Sequence, residues 1–292
     1  MLNMPELPEV QTTVSGLKKV LPGLSIRDVW TDIAVKKPSL RHFDDTIKNL
    51  KFFNNFKSKI KNQKIVQVTR RAKNILIHLA NQQIILIHMK MTGNLLYGAY
   101  RPGDKFIHVI FGLSNKKQLA FSDARKFGKI TLIPENELTV SPHLAHLGPE
   151  PLEKNFTLSR FKEVLNKKPN QKIKTLLMDQ RVISGIGNIY SDEMLWYAGV
   201  HPEEREKNIP GPKIKGVFDA MKNVLKKGIN FGGDSMSDYR NINNEKGKFQ
   251  LHHQAYQKKG QRCGKKDGGV IIRKKIGGRG AHFCPVHQKL IK

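Results

Sequence analysis

Met4-Pro5-Glu6-Leu7-Pro8-Glu9-Val10 is the stretch on which the reading of this chain turns. Behind it Val10, Val14, Leu17 and Leu21 recur at helical spacing until Pro22-Gly23 breaks the pattern. The stretch is therefore the head of an amphipathic helix. A helix head carries partial positive charge and unpaired N–H groups, which favour an anion such as Glu6 or a phosphate. The chemistry of Pro5 leaves two readings open. Proline suits a first helical turn, so one reading takes Pro5 and Pro8 as helix starters alone. Alternatively, loss of Met4 frees the Pro5 nitrogen as a secondary amine. Such an amine attacks an electrophilic sugar carbon to give an iminium, and the adjoining Glu6 carboxylate moves the protons this requires.

Outward from the helix come short runs rich in Val, Ile and Leu: Leu24–Trp30, Ile65–Arg71, Asn74–Leu79, Gln83–Met89, His108–Leu113, Gln118–Ser122 and Lys129–Ile133. Their length and composition predict strands. Many short strands after one helix predict a β-sandwich with that helix packed on it, over residues 4–140. The chain is strongly basic, with 52 Lys+Arg against 24 Asp+Glu and a net charge of +28 spread over all of its 292 residues. So large an excess repels itself, and a polyanionic partner explains it best. No run of eighteen apolar residues occurs and the start lacks an apolar signal core, so neither a membrane span nor export is expected. The only cysteines are Cys263 and Cys284. They suit a reducing cytoplasm and a metal-type role better than a lone disulfide.

Leu147-Gly148-Pro149-Glu150-Pro151-Leu152 reads as a linker, and residues 150–240 as a helical domain. Helical patterns cover Leu158–Asn166, Lys172–Asp179, Ile189–Ala198 with Gly199 as stop, and Ile214–Lys227 with Gly228 as stop. Gly185-Ile186-Gly187-Asn188-Ile189-Tyr190 lets backbone N–H groups face one way at a helix start, which is an anion site. Residues 249–292 form a small module in which Cys263-x-x-Lys266 is followed by Cys284-x-x-His287. Cys263, Cys284 and His287 are good metal ligands, whereas the Lys266 ammonium has no lone pair to give. Water, Asp267 or a nearby histidine would have to supply a fourth ligand, or the module folds without metal.

These motifs, in this order, resemble the formamidopyrimidine-DNA glycosylase family, and they reach nearly the whole chain. The resemblance implies an α+β multidomain fold: an N-terminal helix plus β-sandwich, a helix–two-turn–helix domain and a C-terminal β-hairpin zinc-finger-like module. It implies a monomeric base-excision-repair enzyme of the cytoplasm and nucleoid, acting on damaged double-stranded DNA as glycosylase and AP lyase on oxidised purines. Pro5 is then the nucleophile and Glu6 the proton shuttle. Lys73, in Arg70-Arg71-Ala72-Lys73, contacts the flanking phosphate and donates a proton during strand cleavage. Arg279, in Gly277-Gly278-Arg279-Gly280, grips the phosphates at the lesion. Met91, Arg125 and Phe127 fill the hole left by the extruded nucleotide. Lys126 and Asn188 meet phosphate, and Lys174 lies beside the damaged-base pocket. Residues 231–240 resemble the segment that covers the flipped base. The family's Cys-x-x-Cys pairs hold Zn2+, so Lys266 departs from the pattern; so does Phe106, where the family often has histidine. No small-molecule cofactor is implied.

Two alternatives stand beside this. Charge alone supports a non-catalytic basic DNA-binding protein, which would need none of Pro5, Glu6, Lys73 and Arg279 at their places. An endonuclease VIII-like enzyme on oxidised pyrimidines is the other, though that branch usually opens with glycine at the position of Leu7. Because an acylated proline nitrogen cannot form an iminium, the working protein is expected to begin at Met4, with that methionine then removed.

Overall fold

The computed structural model describes residues 4–38 and 43–291. Met1-Leu2-Asn3, which the processing expectation concerns, lie outside them. Contacts divide the chain into two compact units, residues 1–145 with 232–247, and residues 146–231 with 248–292. The segment 232–247, placed by sequence mostly in the helical domain, thus groups with the first unit.

In the first unit α1 (Leu7–Val20) is followed by β1 (Ile26–Thr31), α2 (Leu50–Ile60), β2 (Ile65–Arg71), β3 (Asn74–Leu79), β4 (Gln83–His88), β5 (Gly93–Gly98), β6 (Ile107–Leu113), β7 (Gln118–Asp123) and β8 (Lys129–Pro134). The strands form two antiparallel four-stranded sheets, ordered β1-β6-β7-β5 and β2-β3-β4-β8. One core cluster joins Val29, Leu95, Phe111 and Phe121 of the first sheet to Val68, Ile75, Ile87 and Ile130 of the second. It also takes in Val10, Val14 and Leu17 of α1, so the expected sandwich with its packed helix is present. Burial of each such side chain stabilises by roughly 1.5–3 kcal/mol. Leu17→Ala, which leaves a cavity at a fully buried position, costs about 2–5 kcal/mol. The segment 232–247 is stitched to this unit: Ile242 joins the core cluster, and its carbonyl accepts from the Tyr97 amide at 2.8 Å.

The second unit holds α3 (Leu158–Asn166), α4 (Ile173–Met178), α5 (Asn188–Ala198), α6 (Gly211–Asn230) and a hairpin of β9 (Ile272–Ile276) and β10 (Arg279–Phe283). Gly199 ends α5 in the left-handed conformation, at φ +61, as its sequence position predicts. Gly228 does not end α6, which continues to Asn230. A Cβ at Gly228 would lie 2.5 Å from Tyr190 Cε1, so this glycine is there for close helix packing. The hairpin module rests on α5 through a cluster of Trp196, Ala255, Cys263, Ile271 and Cys284. Among the described residues no helix is long and apolar enough to cross a membrane.

Candidate active site and nucleic-acid interface

The head of α1 is built by two carboxylates three residues apart. Glu6 is the N-cap, in extended conformation, and the Glu9 side chain reaches back to accept from its amide at 2.8 Å. This is the reciprocal geometry of a capping box, which satisfies N–H groups that a helix start leaves unpaired. Glu9 does more than cap. Its other oxygen accepts from the Asp234 amide at 2.7 Å, and its carbonyl accepts from the Tyr239 hydroxyl at 3.0 Å. Burial, with the Glu9 charge, pushes the Tyr239 hydroxyl well above the usual phenol range, so it acts as a neutral donor. Gly233 makes the approach possible. It sits at φ +84, and a Cβ there would lie 3.0 Å from Glu9 Cγ. Pro5 and Glu6 are both buried, Glu6 being 2 % exposed.

Lys73 belongs to the tight turn between β2 and β3, with Ala72 beside it at φ +54. Arg70 latches this turn to α1. Its Nε donates to Gln11 Oε1 at 2.9 Å and its Nη1 to the Ala72 carbonyl at 2.8 Å. Lys73 is 7 % exposed. Across the sheet His88 pairs with Asn74. Burial first, then the Lys90 and Lys73 charges, hold the His88 imidazole down to about 3. It is therefore neutral, and its Nδ1 accepts from the Lys90 amide at 3.0 Å.

Met91, Arg125 and Phe127 come from two turns that Asp123 locks together. Asp123 Oδ1 accepts from the Thr92 hydroxyl and, at 3.3 Å, from the Arg125 amide; Oδ2 accepts from the Gly128 amide at 2.6 Å. On the far flank the buried Lys48 ammonium donates to the Lys126 carbonyl at 2.7 Å. Between these fixings the three side chains meet. Arg125 Nη1 lies 3.4 Å from Met91 Sδ, and its guanidinium stands 4.5 Å from the Phe127 ring centroid. Arg125, Lys126 and Phe127 are exposed. A cation over an exposed ring on a fixed turn suits insertion into opened duplex, where apolar wedges offset lost base stacking.

In the second unit, the turn ahead of α5 is clamped by Gln180. Its Nε2 donates to the Ile186 carbonyl at 2.7 Å and its Oε1 accepts from the Gly185 amide at 2.8 Å. Gly185 takes φ +88 and Gly187 is the cap, which places Asn188 at the first helical position. Lys174, expected from the resemblance beside the damaged-base pocket, is 1 % exposed, and its ammonium is 2.5 Å from Asp192 Oδ1. Asp192 Oδ2 accepts from the His282 amide at 2.9 Å. Lys174 of α4 is thus joined through Asp192 of α5 to the hairpin. Glu193 is likewise structural, its carboxylate accepting from the amides of Gln254, Ala255 and Tyr256 at 2.8–2.9 Å. Arg279 opens β10 and is exposed, next to a glycine turn whose Gly277 abuts Thr175 too closely for a Cβ.

Cys263, Asp267, Cys284 and His287 bring their ligand atoms within 4.8 Å of one another. Lys266 takes φ +55 and is not among the four; the next residue, Asp267, is, at 2.7 Å from His287 Nδ1. The far nitrogen, His287 Nε2, is 3.1 Å from the Trp196 carbonyl. That bond makes Nε2 the donor, so with an ion at the cluster Nδ1 would turn its lone pair to it, the outer support typical of metal-bound histidine. Two thiols, an imidazole and a carboxylate suit a tetrahedral borderline ion.

Residues 4–130 match the N-terminal domain of formamidopyrimidine-DNA glycosylase, and residues 147–240 match that enzyme's H2TH domain. The formamidopyrimidine-DNA glycosylase of Pelotomaculum thermopropionicum is 37 % identical over 290 residues, covering 98 % of this chain and 100 % of its own. That of Bacillus subtilis is 38 % identical over 285 residues, covering 96 % and 98 %. Lactococcus lactis Fpg in complex with DNA containing an abasic site superposes with a TM-score of 0.85 at 30 % identity, covering 97 % of this chain and 99 % of that one. The wild-type Lactococcus lactis enzyme with DNA containing N7-benzyl-Fapy-dG gives 0.86 at 30 %, covering 98 % and 100 %. With 37–38 % identity to such relatives over nearly the full length, and with both domain types in order, the chain belongs to the formamidopyrimidine-DNA glycosylase family.

Proposed function

We propose that this glycosylase is bifunctional, excising oxidised purines such as 8-oxoguanine and formamidopyrimidines from duplex DNA and then cleaving the abasic site as a monomer in the cytoplasm and nucleoid. The observation that carries the reading is the buried Pro5-Glu6 pair at the head of α1, its geometry set by Glu9. With Met4 removed, the Pro5 nitrogen attacks C1′ of the damaged nucleotide. The C1′–N bond breaks, and the base leaves with the electron pair and picks up a proton. The Pro5 N–H proton passes to the departing base, which restores the nitrogen lone pair. Glu6 protonates O4′ as the sugar opens, and that lone pair completes the iminium. Loss of a proton from C2′ then expels the 3′ phosphate, and a second elimination expels the 5′ phosphate. Lys73 and Arg279 supply charge and protons at these phosphates, while Met91, Arg125 and Phe127 fill the vacated stack and Lys126 and Asn188 hold the backbone.

Cys263, Asp267, Cys284 and His287 would hold one Zn2+, which when bound cross-links the hairpin module that presents Arg279. Its role is structural. Borohydride added during reaction with 8-oxoguanine duplex should trap a covalent protein–DNA adduct. Glu6→Gln should bind the lesion but lose excision. Absence of any adduct from protein beginning at Pro5 would sink the iminium mechanism and the lyase activity; absence of base release as well would leave only a DNA-binding role.

A further inference from the structure

Among the described residues the most exposed phenylalanines are Phe106, at 45 %, and Phe127, at 44 %. Both hang from Asp123. The Phe106 carbonyl accepts from the Asp123 amide at 2.8 Å, and Asp123 Oδ2 accepts from the amide of Gly128, directly after Phe127. Phe106 also holds φ +65, a left-handed conformation that costs a bulky residue and is adopted without cost by glycine. The chain therefore keeps a strained aromatic ring in water, on the turn system that carries its wedge. The Lys105 ammonium sits 5.1 Å from the ring centroid, and Lys105 and Arg101 are both exposed. Flat apolar surface beside mobile positive charge is what a nucleobase flanked by phosphate would cover.

We infer that Phe106 is a second DNA-contacting aromatic, stacking on a base face laid open where Phe127 enters the duplex, with Lys105 towards the adjoining phosphate. The inference rests on the glycosylase reading of the wedge. It predicts a contact that adds affinity without adding to the salt dependence, since an uncharged ring releases no counterions.

The test is equilibrium binding to a duplex with one tetrahydrofuran abasic-site analogue, which the protein cannot cleave, over a range of salt. Phe106→Ala and Phe106→Gly should each weaken binding by about tenfold, with the slope of log K against log[salt] unchanged. Phe106→Trp should stay within about twofold of the native protein. Phe106→Gly should melt no lower than native protein, because glycine relieves the left-handed strain. Native affinity in both truncated variants overturns the inference, as does a flatter salt slope or a drop in melting temperature that accompanies the loss. Failure of the native protein to bind this duplex would sink the glycosylase reading itself; binding that ignores Phe106 sinks only the present inference.

Discussion

The Lys174 ammonium and the Asp192 carboxylate lie 2.5 Å apart with side-chain exposures of 1 % and 0 %. An ion pair so sealed spends the lysine charge on Asp192 rather than on solvent. Removing one partner leaves the other buried and uncompensated, which costs about 3–5 kcal/mol. Asp192→Ala should therefore lower stability by that order in denaturant unfolding, and Lys174→Met by less, because His282 still donates to Asp192. Neither change should flatten the salt dependence of DNA binding in protein that remains folded. A flatter slope for Lys174→Met would restore that lysine to the DNA interface.

Arg279 and Phe127 separate charge from shape. If Arg279 neutralises a phosphate, Arg279→Ala should reduce the magnitude of the log K against log[salt] slope by about one. Phe127→Ala should leave the slope alone and weaken capture of the lesion instead. Titrations at several salt concentrations decide both, and an unchanged slope for Arg279→Ala would place that residue outside the interface.

His88 makes a pH prediction. Its folded value, about 3, lies below the ordinary 6.5. Between pH 6.5 and 3 the unfolded chain therefore binds the extra proton, and stability falls as pH drops through that window. Above pH 6.5 His88 contributes no slope. His88→Gln, which keeps an acceptor for the Lys90 amide, should flatten the stability profile between pH 6.5 and 4 in urea unfolding. An unaltered profile would mean that His88 is open to water.

The sequence made α1 and most sandwich strands legible because each has a local mark: the helical spacing of Val10, Val14, Leu17 and Leu21 up to Pro22-Gly23, and short runs rich in Val, Ile and Leu; it made the wedge turns legible only through the family resemblance. It did not expose β5, whose Gly-Asn-Leu-Leu-Tyr-Gly shows no alternation and which pairs only with β7. Nor did it expose α2, where Asn54 and Asn55 interrupt a weak helical pattern although Phe56 and Ile60 are buried. Gly228 read as a stop because a glycine's steric use, here against Tyr190, depends on a partner distant in sequence. The same limit hid Asp123 and Glu9. Their work is to accept from amides, and only the spacing of Glu6 and Glu9 offered a local sign of it. The burial of Lys174 was hidden for the complementary reason: it is decided by Asp192, eighteen positions away.

The ligand set at the hairpin predicts one zinc per chain, lost stepwise with its donors. Cys284→Ser should abolish metal retention on gel filtration, and Asp267→Ala, which removes a direct ligand, should weaken it clearly. Lys266→Ala should leave it unchanged. A strong chelator should lower the melting temperature of native protein, since metal binding and folding of such modules are linked. Equal zinc content in Asp267→Ala and native protein would remove Asp267 from the set.

Pro5 sets the strictest condition on the chemistry. While Met4 is attached, the Pro5 nitrogen is an amide whose lone pair is delocalised into the carbonyl, so it cannot form an iminium. Pro5 is also buried in the described chain, whereas attack requires the sugar carbon within about 3–3.5 Å of the nitrogen. Protein made to begin at Pro5 should thus give a borohydride-trapped adduct with 8-oxoguanine duplex, and protein that retains Met4 should bind the same duplex without one. Intact-mass measurement verifies each amino terminus before the assay. Peptide mapping of the adduct should find the DNA on Pro5. If the protein retaining Met4 is trapped as efficiently, Pro5 is not the nucleophile, and a lysine such as Lys73 must carry the iminium instead.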